Sequence, residues 1–442
     1  MHRKYLSGIA LLNFQSRNLK PVAEYFILAL LMTFSVIKGV VPGWKQVHSD
    51  FANYYVSSKL ITENQSLDRL YDNAWFQQKI NEQGIETVGK FSPFPPATAW
   101  MMLPLTSFSP LTAQRIFLII NLIFTLLGII LLQKIIHWKI HHCAMLVFGC
   151  GLSLTNNVAF GQVYWIMTVF TLFSVWIVRK NYPIIAGGIL TTFASIKYFP
   201  IVFIGGYFLN SFHSKKIDVN SFFLQRNSRR VFISALSFGI VIIVAEFMFF
   251  GGDVLKQFIN SVLLPHLDGV LSGQGLFAFQ FQSWDNFLRN LFIADPKYNP
   301  SPFMDWPSGR IIFKIIVTCV VLGSMIKVLF QFRNSDILKR QAVYLSVPAL
   351  AALVLLPASA TYHFILLLIP IAIIIGHDLI ERRFVIAALI LYSSIGFIPY
   401  SIAFQLGRSV GLVFAYPRLW LISILYTVVL YGLLKRSESE KR

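Results

Sequence analysis

The chain has little charge and little cysteine for its length. Only 13% of its 442 residues are charged, whereas soluble domains carry about a quarter charged residues. Its three cysteines, Cys143, Cys150 and Cys319, fall in apolar stretches and none has CxxC spacing. Neither a disulfide framework nor a cysteine zinc site is therefore indicated, and the low charge excludes an ordinary soluble enzyme.

Signatures of nucleotide and metal binding are also missing. The sequence has no GxxxxGKS/T loop, no GxGxxG after a strand pattern and no DxD pair in a loop. His141 and His142 stand beside Cys143, but this cluster has no neighbouring carboxylate and no regular ligand spacing. The sequence predicts no metal site and no cofactor.

Apolar residues make up 56% of the chain and aromatic residues 15%. Apolar runs, many of them near the roughly 20 residues that cross a hydrocarbon core, recur along the whole length. The sequence therefore predicts an all-α polytopic membrane protein in which residues 1–442 form one domain. About twelve membrane helices are predicted, at 22–41, 110–136, 141–155, 160–178, 183–197, 198–212, 230–250, 311–331, 341–357, 361–380, 384–404 and 415–434.

The net charge of +19 is distributed unevenly. With the N-terminus in the cytoplasm, seven basic clusters that hold 22 of the 38 Lys and Arg lie on one side, and the opposite loops are nearly neutral. The clusters are Arg3/Lys4/Arg17/Lys20, Lys134/Lys139, Arg179/Lys180, Lys215/Lys216/Arg226/Arg229/Arg230, Arg333/Lys339/Arg340, Arg382/Arg383 and Lys435/Arg436/Lys441/Arg442. This asymmetry follows the positive-inside rule. It indicates a bilayer protein with both termini cytoplasmic, not one that binds nucleic acid.

One apolar run, 183–212, is interrupted by Lys197-Tyr198-Phe199-Pro200. A single span there would move the basic loop 213–230 to the outside. The charge rule favours a hairpin of two short helices with Lys197 at its outer tip, and the single-span alternative stays open.

Two outer segments are longer than connectors need to be. Residues 42–109 contain helix-like stretches at about 50–62 and 73–83 and a short apolar piece at 97–108, which we expect to lie in the membrane interface. Residues 251–310 form the second outer segment. Loops of this size carry function or act as lids.

Asp50 follows the first membrane helix directly and is succeeded by polar and aromatic residues. On a helix that begins there, Tyr54 and Ser58 share its face at spacings of four, with Ser57 as an alternative. This face suits polar substrate groups, with Asp50 as a candidate general base. Asp is also a favoured N-cap residue, so a helix cap is the alternative.

Four further polar residues stand at predicted outer helix ends. His363 could donate to a phosphate or be an interfacial His beside Tyr362. Arg115 and Lys197 could bind an anion or extend to lipid headgroups. Gln162 could hydrogen-bond a sugar or cap a helix.

The order of these elements resembles glycosyltransferase family 87, membrane enzymes of the GT-C type that include polyprenol-phosphate-mannose-dependent mannosyltransferases and related arabinofuranosyltransferases. The resemblance covers roughly 20–375. The elements that carry it are Asp50-Phe51 with Tyr54-Tyr55, Leu70-Tyr71-Asp72, the Phe-x-x-x-Pro-Pro stretch before Met102-Leu103-Pro104-Leu105, Asn121, Gly161-Gln162-Val163, Ala186-Gly187-Gly188, Ile196-Lys197-Tyr198-Phe199-Pro200 and Ser359-Ala360-Thr361-Tyr362-His363 with Pro370.

The resemblance implies a GT-C-type bundle with outer interfacial helices, with Asp50 as catalytic base and His363 beside the donor phosphate. Lys197 and Gln162 match polar positions around the same cavity. Phe94 stands where the family often has a Tyr, so no hydroxyl contact is carried over there.

These features together predict an inverting enzyme at the outer, periplasmic face of the bacterial inner membrane. It would move a sugar, a mannose-like hexose above all, from a polyprenyl-phosphate donor to a glycolipid or glycan acceptor. One base takes the hydroxyl proton, and His363, Lys197 and Arg115 bind the leaving phosphate; Tyr54, Gln162 and Tyr362 would bind substrate.

Two alternatives belong to other classes. A transporter or lipid flippase would show inverted repeats and charges near mid-membrane, whereas here the polar residues lie at helix ends. A non-catalytic assembly subunit would leave Asp50 as a helix cap.

Overall fold

Helices account for all the regular structure in the part of the chain that is described. The computed structural model describes residues 19–212, 219–270, 273–399, 401–402, 404–405 and 411–439, and within these ranges it contains no strand, only an isolated bridge between Asp295 and Asn299. Seven of the predicted cytoplasmic basic residues lie outside the described residues: Arg3, Lys4, Arg17, Lys215, Lys216, Lys441 and Arg442.

The N-terminal half alternates long helices with short ones. Its helices are α1 (Leu19–Ser35), α2 (Val41–Lys45), α3 (Ser49–Thr62), α4 (Asn73–Glu82), α5 (Pro110–Ile136), α6 (Ile140–Phe148), α7 (Leu152–Phe160), α8 (Tyr164–Arg179), α9 (Pro183–Ile196) and α10 (Ile201–Ser211). A π-helical turn joins α1 to α2, and two 3-10 turns, Pro96–Trp100 and Leu103–Leu105, precede α5. The predicted helices at 50–62 and 73–83 are confirmed as α3 and α4.

The C-terminal half begins with the longest helix. Its helices are α11 (Val219–Phe258), α12 (Leu264–Leu267), α13 (Trp284–Phe292), α14 (Pro307–Phe332), α15 (Ile337–Val354), α16 (Leu368–Gly376), α17 (Arg382–Phe397) and α18 (Pro417–Ser439). A 3-10 helix, Thr361–Leu367, leads directly into α16. Helix α11 is broken at Gly251, whose φ of 79° lies in the left-handed region.

The number of long membrane helices differs from the prediction. Among the residues that the structure describes, six helices are long and apolar enough to cross a bilayer, or seven if the bent pair α6–α7 (74°) counts as one span, so the predicted count of twelve is not confirmed. Helices α8, α9 and α10 have 16, 14 and 11 residues. At about 1.5 Å per residue, they are shorter than a hydrocarbon core of about 30 Å. The prediction of three apolar helices at 160–178, 183–197 and 198–212 is confirmed to within a few residues at each end.

The broken run 183–212 folds as two helices that run in opposite directions along α11. On α9, Thr191 Oγ1 donates to the carbonyl of Ala235 (3.0 Å), and the carbonyl of Ile196 lies beside the 3-10 turn that contacts Glu246. At the far end of α10, Asn210 Nδ2 donates to Ser228 Oγ (2.9 Å). Helix α9 therefore runs parallel to α11 and α10 runs antiparallel to it. Residues 197–200 form the tip of the hairpin.

The short apolar piece 97–108 lies between helices and does not cross the membrane. Its backbone N–H at Ala97 donates to Glu246 Oε1 of α11 (3.1 Å). Ser58 Oγ of α3 donates to the carbonyl of Ala99 (2.7 Å) and accepts from the N–H of Met102 (3.0 Å). Ser58 therefore holds this segment against α3, and its hydroxyl has a structural role. It does not offer its hydroxyl to a substrate.

A buried ionic cluster fixes the second outer segment to the start of α14. The Asp285 carboxylate accepts from Arg310 Nη2 (2.9 Å), and Lys314 Nζ lies 3.0 Å from it. Arg310 also bonds Asp268 (3.1 Å). Gly269 has a φ of 71°, and a Cβ there would lie 1.9 Å from Asp285 Oδ2. Only glycine fits at this position, because the backbone is left-handed and presses against the carboxylate.

We expect Asp285→Asn to lower the free energy of unfolding by up to about 3 kcal/mol, because it removes the buried carboxylate that Arg310 and Lys314 share and leaves buried Arg310 with only the more exposed Asp268 as counter-charge. Thermal unfolding of the purified full-length protein measures this as a drop in Tm. Asp253→Asn, which removes an exposed carboxylate from α11, is the matched control and should leave Tm unchanged. Equal Tm values for the two variants would contradict the role given to this cluster.

Candidate active site

A cavity of about 600 Å³ lies at the end of the helix bundle where α2, α9 and α15 end and α8 begins. This volume is in the range of small-molecule sites, about 300–1,000 Å³. Polar and ionisable side chains line part of its wall: Ser49, Asp50, Asn53, Lys90, Ser92, Tyr164, Lys197, Tyr198, His266, Gln274, Tyr362 and His363. Apolar side chains line another part: Phe199, Ile201, Val202, Leu263, Leu267, Leu355, Leu356 and Leu366. The cavity thus presents both polar groups and apolar side chains to a ligand.

Asp50 is the second residue of α3 and is half-buried at the cavity wall. The N-cap of α3 is His48, so the alternative that Asp50 caps the helix is wrong. The turn before α3 is fixed by Gln114 of α5. Its Oε1 accepts from the N–H of His48 (2.9 Å), and its Nε2 donates to the carbonyl of Gln46 (2.6 Å). The fixed turn therefore determines the position of the Asp50 carboxylate, which does not serve as the N-cap of α3.

Gln162 and Tyr54 lie behind Asp50 and are not among the residues that line the cavity. The Tyr54 hydroxyl donates to Gln162 Oε1 (2.8 Å), and the Gln162 side chain also interacts with the Asp50 carboxylate. Gly161 makes this possible, since its φ of 67° turns the chain at the end of α7 and a Cβ there would lie 2.8 Å from Phe51 Cβ. Both residues were predicted to contact substrate, but the structure places them as supports of Asp50.

Lys197, at the hairpin tip, is buried and points its ammonium into a group of aromatic rings. Nζ lies 3.8 Å from the ring centroid of Phe94, 5.0 Å from that of Tyr164 and 5.6 Å from that of Tyr54. Rings at these distances attract a cation through their negative faces. The ammonium also interacts electrostatically with Asp50. The resemblance implied that Lys197 lies around the same cavity as Asp50, and the structure brings the two side chains together.

His363 lines the cavity, and both of its ring nitrogens have partners in the protein. Nδ1 accepts from the N–H of Ala360 (3.0 Å), so the proton of the neutral ring is on Nε2, which lies 2.9 Å from the Tyr164 hydroxyl. That hydroxyl then accepts from His363, and its own hydrogen is available to the cavity. The ring of Tyr362 stacks on that of Tyr164 at 5.5 Å. A ligand would thus meet His363 together with the hydroxyl of Tyr164.

Two buried residues hold this histidine segment in place. Asn157 of α7 donates to the carbonyl of Tyr362 (3.0 Å). Arg418 of α18 contacts Thr361 and donates to the carbonyl of Ile395 (3.1 Å). The sequence did not indicate either role, because both partners lie far from the segment along the chain.

The structure does not bring Arg115 to the cavity. Its Nε donates to the carbonyl of Trp44 (3.0 Å), and its guanidinium lies 5.0 Å from the centroid of the Trp44 ring. Arg115 is not among the residues that line the cavity. Its charge stabilises the end of α2, and the predicted phosphate contact has no support.

Lys90 and His266 were missed by the sequence analysis. Lys90 lies in the first outer segment, and its backbone N–H donates to Asn53 Oδ1 (2.7 Å). His266 lies on α12 in the second outer segment, and its Nδ1 is buried without a hydrogen-bond partner among the described residues. Neither Lys90 nor His266 stands in a recognisable motif. The one sequence signal for them is that both lie in long outer segments.

Residues of the second outer segment form the roof of the cavity. They are His266, Leu267, Gly273, Gln274 and Phe281. The roof is tied to the histidine segment because the N–H of Gln282 donates to the carbonyl of Ser359 (2.9 Å).

Burial changes the acidity of Lys90. It lowers the pKa of the ammonium from 10.5 to about 8, and the nearby Asp50 carboxylate opposes this change. Between pH 8 and 10.5 the unfolded chain thus binds more protons than the folded chain at this residue, so the folding contribution of Lys90 becomes more favourable as pH rises. Near neutral pH the amine is charged and able to bind an anion.

The described part of the site has one carboxylate at the cavity wall, and its basic groups are Lys90, Lys197, His266 and His363. A comparison with protein families matches residues 93–357, more than half of the chain, to the model for glycosyltransferase family 87. The chain belongs to glycosyltransferase family 87. Searches of curated proteins and of solved structures found no match.

The family 87 match covers only part of the site. Lys197, Gln162 and His266 fall within the matched residues, whereas Asp50 precedes them and His363 follows them. Membership therefore shows a glycosyltransferase with membrane-spanning character. The roles of Asp50 and His363 have to be argued from the geometry of the cavity.

We expect the Lys90 amine to titrate near pH 8 and its pKa to fall further in Asp50→Asn, since the carboxylate that favours the ammonium is then gone. NMR of the ¹³C-methylated protein can follow this titration. The Lys90 signal is assigned as the one that Lys90→Arg removes. A Lys90 pKa close to 10.5, or one that Asp50→Asn leaves unchanged, would refute the electrostatic description of the cavity.

Proposed function

We propose that this family 87 member is an inverting hexosyltransferase. It transfers a mannose-like sugar from a polyprenyl-phosphate donor to a hydroxyl of a glycolipid or glycan. The observation that carries the proposal is that Asp50 is the one carboxylate at the cavity wall in the described part of the chain, with Lys197, Lys90 and His266 around it. This set matches one general base and several groups that can receive a phosphate.

The reaction needs one proton acceptor and one stabilised leaving group. The acceptor hydroxyl gives its proton to Asp50 and its oxygen attacks the anomeric carbon. The bond from that carbon to the phosphate oxygen breaks, and polyprenyl phosphate leaves with the electron pair. A single displacement inverts the anomeric configuration. A retaining double displacement would need two carboxyl groups about 5–5.5 Å apart, and the described cavity wall offers only Asp50.

The leaving phosphate would be received by cations and hydrogen-bond donors. Lys197 and Lys90 supply charge near Asp50, and the Tyr164 hydroxyl, oriented by His363, supplies a hydrogen-bond donor. Such preorganised groups stabilise charge that develops in the transition state. His363 thus acts through Tyr164 in this arrangement.

The apolar wall supports a lipid-linked donor. Phe199, Ile201 and Val202 of the hairpin line the cavity together with Leu355 and Leu356, which follow α15. Isoprenoid chains gain about 25 cal/mol for each Å² of apolar surface removed from water. A soluble nucleotide sugar would gain little from this wall.

The arrangement of charge supports an active site on the outer, periplasmic face of the inner membrane. Helix α8 begins at the cavity with Tyr164 and ends at Arg179, next to Lys180. The basic ends of α5 and α17 are likewise the ends away from the cavity. Under the positive-inside rule this arrangement supports cytoplasmic termini and a cavity on the outer side.

Asp50→Asn should reduce sugar transfer by about 100-fold or more, as expected for loss of a general base. Membranes with the variant are given polyprenyl-phosphate mannose labelled in the sugar, and labelled product and released polyprenyl phosphate are measured. Asp68→Asn, which changes an exposed carboxylate in the same outer segment, is the control. Near-normal transfer by a folded Asp50→Asn protein would sink the base assignment. Donor translocation without labelled product would favour a flippase.

The pH dependence of transfer should show the contribution of Lys90. Because the Lys90 ammonium loses its proton near pH 8, kcat/KM for the donor should fall as pH rises through this value. Lys90→Arg keeps its charge at all these pH values, so it should move the alkaline fall to higher pH. The same alkaline limb in wild type and Lys90→Arg would show that Lys90 does not bind the phosphate.

A further inference from the structure

Three metal-ligating side chains meet at the end of the helix bundle away from the cavity. Glu24 lies on α1, and His141 and His142 lie in the first turn of α6. Glu24 Oε2 is 3.0 Å from His141 Nε2 and 3.2 Å from His142 Nε2. The three ligand atoms all lie within 4.8 Å of one another, and all three residues are half-buried.

The contact between His142 and Glu24 is close but poorly aligned for a hydrogen bond. Nε2 of His142 is buried and lies 3.2 Å from Glu24 Oε2, yet it makes no well-directed hydrogen bond among the described residues. A good hydrogen bond requires the N–H to point at its acceptor. The carboxylate oxygen and the two imidazole nitrogens are close enough together to bind one metal ion.

We propose that Glu24, His141 and His142 form a Zn²⁺ site. Two imidazole nitrogens and one carboxylate oxygen are a donor set that zinc takes, with water as a fourth ligand. The neighbouring Cys143 is not a ligand, because its Sγ is turned to the carbonyl of Trp138 (4.0 Å). The carboxylate comes from a residue 117 positions before His141, which is why the local sequence gave no sign of it.

The position of the site indicates a structural role. The chain from α1 into α2 packs closely against α7. A Cβ on Gly39 would lie 3.2 Å from Thr155 Cα, and one on Gly43 would lie 3.2 Å from the carbonyl oxygen of Ala159. The ion would bind at the α1 end of this contact. Asp50 comes shortly after its other end, at α2. Zinc should therefore stabilise the docking of α1 and take no part in sugar transfer.

The test measures bound metal in the full-length protein. The protein is purified through a tag without histidine, treated with EDTA, dialysed against Zn²⁺ and freed of excess metal. Mass spectrometry of the elements should then find one Zn²⁺ per chain in wild type and none at this site in Glu24→Gln or His142→Ala. Zinc should raise the Tm of the stripped wild type and leave that of both variants unchanged.

His137→Asn is the matched control. It removes an exposed imidazole nearby and keeps a residue type that tolerates the left-handed backbone (φ 62°). Wild type that holds no more zinc than the two site variants would overturn the proposal. Should the variants fail to fold, Co²⁺ added to stripped wild type gives an independent answer, since a spectrum without tetrahedral d–d bands would also overturn it. Neither measurement depends on sugar transfer.

Discussion

The site depends on holding the Asp50 carboxylate at the cavity wall, partly removed from bulk water, where neighbouring groups stabilise its charge. A lone buried charge is costly and persists only with counter-charges and hydrogen bonds. The chain meets this need around Asp50 with the Gln162 side chain and the ammonium of Lys197. Burying the Lys197 ammonium is also costly, and the rings of Phe94, Tyr164 and Tyr54 lower this cost. Each member is therefore stabilised by the others, and the site is a coupled unit.

This coupling explains why the helices around the site are short or broken. Lys197 reaches Asp50 because the backbone turns at the level of the cavity. Helix α9 ends there, and α10 runs back in the opposite direction. Irregular backbone at membrane depth is tolerated where it lines a cavity or is buried in protein. The turns at Gly161 and at residues 197–200 meet this condition because each adjoins the site.

Apolar runs and charge asymmetry predicted the helical class, the two outer helices and the hairpin. That Asp50, Lys197 and His363 lie around one cavity was implied only by the family resemblance. The sequence did not predict that Arg115 would bind Trp44, because a cation at a helix end fits lipid, protein or ligand equally well. Nor could it assign His266, since which residues of a long loop face a cavity is decided by tertiary contacts such as those of Asp285. The long helices numbered fewer than predicted because apolarity does not fix where a helix stops.

The two outer segments divide the proposed chemistry between them. The first carries Asp50 and Lys90, and the second carries His266 over the same cavity. They approach each other where a Cβ on Gly273 would lie 3.0 Å from Lys90 Nζ. The roof at Gly273 is anchored through Gln282 to the segment of His363, so any outward movement of the roof would strain that tie. On the proposed mechanism, Lys90 of the first segment and His266 of the second lie over the same phosphate site, while α3 supplies the base, so a productive geometry requires both segments in place at once.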